Sequence, residues 1–227
     1  MHVAAFAGGA AAAAAVFFLL RSPPRCACAA SCACAPAASL AAPAAAAAAQ
    51  AASTTSSAQG TDVYETSKAV AEYLLFHFGA PADVLPYPAS LGHHGALDFA
   101  ARTGALCTEW ARREGLALEG AFDVGCAVGG TSFELSRVFT RVVGLDFSRA
   151  FVDAANALKA SGSAPFTFQV EGAITGAGVA RVPQGTRPQH CTFMQGDACA
   201  LPPASALGGP FTVVHAANLL CRLPDPM

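Results

Sequence analysis

A short apolar strand that runs directly into a glycine-rich turn constrains the fold of this chain more than any other feature. Residues 121–124 (AFDV) lead into residues 125–130 (GCAVGG), and a helical apolar pattern follows the turn. The next predicted strand, residues 142–146, ends in Asp146, 23 residues after Asp123. This succession is typical of parallel α/β sheets in which a glycine turn approaches a ligand and a terminal acid binds ribose hydroxyls.

Apolar periodicity extends the alternation of helices and strands along the chain. It predicts three helices: one capped by Asp62 and Glu65 and ended by Gly79, one over about 96–113, and one over 148–159 with Ser148 as N-cap. It also predicts a hairpin within 166–182 that turns at about 175–178, and strands at 192–195 and 211–217. Strands that alternate with helices favour a parallel sheet with right-handed crossovers. The predicted fold class is therefore α/β, with a Rossmann-like sheet.

Three acids indicate which nucleoside cofactor such a sheet would bind. Asp123, two residues before the first glycine, would repel a pyrophosphate and attract an ammonium group. Asp146 suits ribose hydroxyls, and Asp197 with the Ala198 N–H suits adenine. A ligand that combines adenosine with an ammonium group and lacks phosphate is S-adenosylmethionine. The simpler interpretations are that Asp146 only caps a helix and that Asp197 only shapes a turn.

A nicotinamide cofactor is the alternative that the glycine turn leaves open. Matched to the G-x-G-x-x-G/A pattern, the turn supplies Gly125, Ala127 and Gly130, which is a degraded dinucleotide fingerprint. On that interpretation the chain would be an oxidoreductase.

A narrower resemblance covers residues 63–227. The matching segments are 64–66 (YET), 72–79 (EYLLFHFG), 85–87 (LPY), 123–129 (DVGCAVG), 144–148 (GLDFS), 151–159, 195–199 (QGDAC) and 216–226 (AANLLCRLPDP). They resemble the C-terminal methyltransferase domain of ovothiol-synthesising enzymes, the 4-mercaptohistidine N1-methyltransferase family. The resemblance implies a class I fold and methyl transfer from S-adenosylmethionine to an imidazole nitrogen of a small thiol-histidine.

The predicted cofactor and substrate residues follow from the motifs and the resemblance together. The cofactor-binding set is Asp123, Gly125, Ala127 and Gly129 at the methionine part, Asp146 at the ribose, Asp197 and Ala198 at the adenine, and Asn218 near the methyl group, together with Cys126 and Phe147. Arg222 is expected to pair with the substrate carboxylate, and Tyr64 to close over the site. Asn218, Arg222 and Tyr64 are thus the candidate catalytic residues.

The sequence ends at Met227, soon after the fourth predicted strand. Class I methyltransferases have seven strands in the order 3-2-1-4-5-7-6. We therefore expect a sheet truncated after its fourth strand, with that strand as an uncovered edge. The alternatives are a non-catalytic remnant that binds S-adenosylmethionine, a fragment of a longer enzyme, or a chain whose missing strands come from a partner.

Residues 1–60 differ in composition from the partial methyltransferase domain predicted at 61–227. They contain two arginines and no acid, with an apolar run from Val3 to Leu20 and then an Ala/Ser/Thr/Pro-rich tract. A signal-like stretch before a transit-like stretch predicts a low-complexity targeting segment for import into a plastid or mitochondrion. The alternative is untargeted low-complexity sequence on a cytoplasmic protein.

Charge and residue spacing exclude other classes of function. The formal net charge of −2 does not fit a nucleic-acid-binding surface. His77, His93, His94, His190 and His215 lack the spacing of metal ligands, so we expect solvated or core histidines and no metal site. Cys107, Cys126, Cys191, Cys199 and Cys221 are scattered through apolar segments, which favours reduced thiols. The folded domain is not expected to contact a membrane.

Overall fold

A computed structural model describes residues 2–6, 15–19, 61–88 and 90–224. The strands are β1 (His2–Phe6), β2 (Ala15–Leu19), β3 (Gly120–Val124), β4 (Arg141–Asp146), β5 (Ser163–Glu171), β6 (Ile174–Arg181), β7 (Cys191–Gln195) and β8 (Val213–Ala217). The α-helices are α1 (Ser67–Phe78), α2 (Pro81–Val84), α3 (Phe99–Arg113), α4 (Gly130–Leu135) and α5 (Arg149–Ser161). Short 3-10 turns lie at Thr61–Glu65, His94–Ala96, Pro188–His190 and Leu220–Arg222.

The central sheet has the order β1-β2-β8-β3-β4-β7. Strands β8, β3, β4 and β7 are mutually parallel. Numbered along the domain, these four strands follow the order 3-2-1-4, as the sequence predicted. Parallel neighbours need crossover connections, and α4 and α5 lie in the two that follow β3 and β4. The predicted α/β class with a parallel central sheet is confirmed.

The outer edge of β8 differs from the prediction. Strand β2 pairs with β8 in antiparallel register, from Ala15 opposite Ala217 to Leu19 opposite Val213, and β1 pairs with β2. The prediction that β8 would be an uncovered edge is therefore wrong. An edge strand exposes unpaired N–H and C=O groups, and a short strand from the N-terminal segment satisfies those of β8. Apart from β1 and β2, the predicted targeting segment at 1–60 lies outside the described residues.

Helix α1 begins later than the sequence predicted. Thr66 is its N-cap, with its side chain accepting a hydrogen bond from the Ala69 N–H, and Gly79 ends it as predicted. Glu65 caps a different helix: its carboxylate accepts the Arg149 and Ala150 N–H groups at 2.9 and 3.1 Å. These N–H groups open α5 and have no partner within the helix. The contact therefore fastens the N-terminal segment of the domain to α5.

The other predicted elements are present with shifted bounds. Ser148 caps α5 by accepting the Phe151 N–H at 3.1 Å, as predicted. The inserted hairpin is β5–β6, and it turns at residues 172–173 rather than at 175–178. Glycines 176 and 178 instead lie under the rings of Phe168 and Phe166. The predicted turn glycines are therefore strand residues that make room for aromatic side chains.

The core lies between the central sheet and its covering helices. Its largest fully buried side chains include Phe133, Phe139, Leu135, Leu145 and Leu158. A second cluster around Phe122 and Phe211 covers the opposite face of the sheet. Within the described ranges, no helix is both long and apolar enough to span a membrane.

Candidate functional site

Four residues, one from each parallel strand, form a row across the sheet beneath the candidate site. His215 of β8, Asp123 of β3, Gly144 of β4 and Phe193 of β7 are register partners from strand to strand. Partners in parallel register point to the same face of a sheet. A Cβ on Gly144 would lie 2.9 Å from Ser132 Oγ, so the glycine leaves the space through which Ser132 reaches Asp123. The row therefore forms the base on which the glycine turn rests.

Asp123 is a buried carboxylate with defined partners on both oxygens. Its side chain and that of His215 are 1% and 4% exposed, and Oδ1 lies 2.7 Å from His215 Nδ1. Ser132 Oγ donates to Oδ2 at 2.6 Å. A carboxylate oxygen can accept more than one hydrogen bond. Asp123 is therefore held from two sides while it still lines the cavity described below.

The glycine turn has a positive φ, which favours glycine, at three positions, and two of them are glycines while the third is Ala127 with φ +47°. Gly125 has φ +74°, and Gly129 has φ +85°. A Cβ on Gly129 would meet the Phe193 ring at 2.7 Å and Ala155 Cβ at 3.3 Å. Gly129 therefore packs against α5 and β7, behind the turn, and is absent from the cavity lining. This arrangement differs from the cofactor contact predicted for Gly129.

Asp146 links the turn to the start of α5. Its Oδ2 accepts the Ala127 N–H at 2.8 Å, and its Oδ1 accepts the Ser148 N–H at 2.9 Å. Burial raises the pKa of the Asp146 carboxyl, although both N–H groups act in the opposite direction. Asp146 therefore positions the N-cap residue Ser148 and does not itself cap α5. The side chain also lines the cavity, so that role and ribose binding are compatible.

His77 of α1 also lies against the turn. Its Nδ1 accepts the Gly130 N–H at 3.2 Å. The ring lies among Tyr73, Phe76 and Phe78, with centroid separations of 5.5 to 6.1 Å. Burial lowers the pKa of His77 to about 4, and nearby Asp123 only partly offsets this effect. The ring is therefore neutral at pH 7, as its role as an acceptor requires.

A cavity of about 810 Å³ opens at the carboxyl ends of the four parallel strands. Ligands of α/β sheets bind at this edge. The structure brings all the predicted site residues except Gly129 to its wall, namely Tyr64, Asp123, Gly125, Cys126, Ala127, Asp146, Phe147, Asp197, Ala198, Asn218 and Arg222. Residues from both ends of the predicted domain therefore meet at one cavity.

Two predicted residues lie on the loops that follow β7 and β8. Asp197 accepts the Cys199 N–H through Oδ1 at 2.8 Å, which is the turn geometry that the sequence left open for it. Asn218 follows β8 directly with φ +54°, a conformation that Asn tolerates better than most residues. Both residues face the cavity from its rim.

An aromatic wall of the cavity was not predicted from the sequence. It consists of Tyr73, Phe76, His77, Phe99 and Phe151. Burial raises the pKa of Tyr73, so its hydroxyl is neutral at pH 7. These residues lie on α1, α3 and α5 at ordinary core spacing, and such a pattern does not distinguish a cavity wall from a core.

Arg222 and Tyr64 meet at the mouth of the cavity. The Arg222 guanidinium donates to the Tyr64 hydroxyl, and Tyr64 packs at 5.9 Å against Phe151. The contact joins the 3-10 turn before α1 to the 3-10 turn after β8. Of the described residues that line the cavity, Arg222 alone carries a permanent positive charge.

Comparisons with known proteins find similarity only among solved structures. No protein-family model matches the chain, and no curated protein matches it either. One similar structure is magnesium protoporphyrin IX methyltransferase from Synechocystis with bound S-adenosylhomocysteine, at 17% identity and TM-score 0.35 over 62% of this chain and 51% of that one. Another is the glycopeptide N-methyltransferase MtfA with sinefungin, at 18% identity and TM-score 0.30 over 44% of this chain and 32% of that one.

A third similar structure is the phosphoethanolamine N-methyltransferase of Haemonchus contortus in complex with phosphoethanolamine and S-adenosylhomocysteine. It matches at 14% identity and TM-score 0.28, over 63% of this chain and 24% of that one. This chain therefore spans about half of the Synechocystis enzyme and smaller parts of the other two. At identities and TM-scores this low, the likenesses carry no argument about what this chain binds.

Proposed function

We propose that this chain binds S-adenosylmethionine and belongs to an enzyme that transfers its methyl group to a small molecule. The observation that carries the proposal is the hydrogen bond from the Ala127 N–H to Asp146. In a dinucleotide site the N–H groups of this turn face a pyrophosphate. Here the Ala127 N–H already donates a hydrogen bond to the Asp146 carboxylate, and a second carboxylate, Asp123, lies beneath the same turn.

The cavity fits the proposed cofactor in size and charge. Small-molecule sites measure about 300–1,000 Å³, so 810 Å³ accommodates a nucleoside cofactor together with a small acceptor. Asp123 would hold the ammonium group, Asp146 the ribose hydroxyls, and Asp197 with Ala198 the adenine. Of the described residues that line the cavity, four are carboxylates (Glu72, Asp123, Asp146 and Asp197) and one is a peripheral arginine, which favours a cationic, phosphate-free ligand over NAD.

The protein's own contribution to methyl transfer is to position the acceptor and to exclude water. S-adenosylmethionine supplies an activated methyl group, so the protein needs to align the acceptor nitrogen and desolvate it. Asn218 and the aromatic wall face the space beside the turn, and the Arg222–Tyr64 contact lies over its mouth. A neutral imidazole nitrogen is already nucleophilic, so the reaction needs no strong base.

For the acceptor we propose an imidazole nitrogen of a thiol-bearing histidine, as in ovothiol biosynthesis. The aromatic wall suits a planar ring. Arg222 suits the carboxylate of an amino acid, to which a guanidinium can donate two hydrogen bonds. Binding of such a carboxylate would replace the contact between Arg222 and Tyr64, so the two residues would act together as the gate of the cavity.

Calorimetric titration of the full 227-residue chain tests the cofactor. We expect S-adenosylhomocysteine to bind and NAD to produce no binding heat. Tight binding of NAD together with no binding of S-adenosylhomocysteine would overturn the proposal in favour of an oxidoreductase.

Radiolabelled S-adenosylmethionine with 4-mercaptohistidine tests the transfer, with histidine as the control acceptor. We expect label in the thiol-histidine alone, and Arg222→Met to raise its KM more than it lowers kcat. Cofactor binding without any transfer would identify this chain as a non-catalytic binding unit.

A further inference from the structure

We propose that His215 is a positioning residue for the cofactor: its Nδ1–H donates to Asp123 and orients this carboxylate toward the ammonium group. This inference depends on the proposed function, because it assigns a partner to the carboxylate at the base of that site. The geometry consists of a 2.7 Å contact between His215 Nδ1 and Asp123 Oδ1, with both side chains buried. The two residues are also register partners in adjacent parallel strands.

The register makes this contact specific to these two positions. A shift of β8 by one residue would turn His215 to the other face of the sheet. Val214 and Ala216, its neighbours along β8, pack instead in the cluster on the opposite face. The strand pairing therefore places His215 Nδ1 next to Asp123 Oδ1. Ser132 Oγ donates to the other oxygen, Oδ2, at 2.6 Å.

The titratable groups around Asp123 supply no positive charge to hold it at pH 7. Facing it are His77 from α1, Cys107 from α3, Cys126 from the turn, Asp146 from β4, Cys191 from β7 and His215 from β8. Burial lowers the pKa of His77 to about 4 and raises the pKa of each of the three thiols, so these four side chains are neutral at pH 7. Asp146 adds a second negative charge. The contacts that fix the orientation of Asp123 are therefore those with His215 and Ser132.

Two variants separate positioning from a purely structural role. His215→Asn keeps an N–H donor near the Nδ1 position, whereas His215→Leu keeps similar bulk without a donor. We expect S-adenosylhomocysteine to bind His215→Asn within about threefold of the unmodified chain. We expect His215→Leu to bind about 10- to 100-fold more weakly.

Thermal unfolding of both variants is measured alongside binding. If His215 has only a structural role, the two variants lose stability but keep the affinity of the unmodified chain. Equal affinities in all three proteins would therefore overturn the inference, provided that the unmodified chain binds S-adenosylhomocysteine.

A readout without ligand makes the inference independent of cofactor binding. The ¹⁵N spectrum of the imidazoles, with the His215 signal assigned by its loss in His215→Asn, should show a proton on Nδ1. The ¹³C chemical shift of the Asp123 carboxyl should change in His215→Leu and stay close to that of the unmodified chain in His215→Asn. An Nδ1 without a proton, or the same carboxyl chemical shift in all three proteins, would overturn the contact even if the proposed function failed for its own reasons.

Discussion

The backbone N–H of Ala127 donates to Oδ2 of Asp146 over 2.8 Å, which joins the glycine turn after β3 to the carboxyl end of β4. The other oxygen of Asp146 accepts the Ser148 N–H at the start of α5. One carboxylate therefore fixes two loops of the candidate site relative to each other. It does so from a position that also borders the cavity, so its loss would disturb both the shape of the turn and ribose binding.

We expect Asp146→Asn to weaken binding of S-adenosylhomocysteine at least tenfold. The substituted amide has one acceptor oxygen, so one of the two N–H groups loses its partner, and we expect a loss of about 1–3 kcal/mol in the free energy of unfolding. Calorimetry and denaturant unfolding measure the two effects. Asp153→Asn is the matched control, because Asp153 is an exposed acid on α5 whose contact with Arg149 is 3.7 Å long. Unchanged affinity in Asp146→Asn would remove this carboxylate from the cofactor site.

Because burial lowers the pKa of His77, we expect the stability of the protein to depend on pH in a specific way. Its folded pKa of about 4 lies below the ordinary value of 6.5, so the unfolded chain takes up the proton first as the pH falls. Stability should therefore fall from about pH 6.5 toward pH 4, by about 3 kcal/mol at most from this residue. His77→Asn keeps an acceptor for the Gly130 N–H and does not titrate. Urea unfolding at several pH values should show a smaller acid loss in this variant, and equal losses in both proteins would contradict the assignment.

Local spacing made much of the fold predictable. The strand order follows from the alternation of strands and helices, and the Ser148 cap follows from the residues next to it. The site residues of the turn and of the strand ends were predictable for the same reason, because parallel strands bring their carboxyl ends to one edge. Gly129 was the exception, since sequence spacing does not distinguish a glycine that contacts a ligand from one that packs against Phe193.

Contacts between distant segments were not predictable. Glu65 caps α5 across more than 80 residues, and His215 meets Asp123 across more than 90. Both contacts depend on the register and docking of whole elements, which no local pattern encodes. The pairing of β2 with β8 is similar, because it joins Ala15–Leu19 to Val213–Ala217 across most of the chain.

Alanine substitutions at two glycines with positive φ distinguish the effect of steric crowding on stability from that of backbone strain. Gly129→Ala places a Cβ 2.7 Å from the Phe193 ring in a left-handed conformation, so we expect a loss of about 3 kcal/mol in the free energy of unfolding. Gly172→Ala, in the β5–β6 turn, has φ +54° and open space around its Cβ, so we expect about 1 kcal/mol. Denaturant unfolding compares the two variants. Equal losses would show that the turn relaxes around the new methyl group.

Alkylation of two exposed cysteines reports whether the cavity is occupied. Cys221 lines the cavity, whereas Cys199 is exposed outside its lining. Burial raises the pKa of the Cys191 thiol to about 12 and shields Cys107 and Cys126 as well, so these three should react only on unfolding. We expect S-adenosylhomocysteine to slow iodoacetamide labelling of Cys221 severalfold and to leave Cys199 unchanged, as followed by peptide mass spectrometry. Slowing at both thiols would indicate a general stabilisation, and slowing at neither would place the ligand elsewhere.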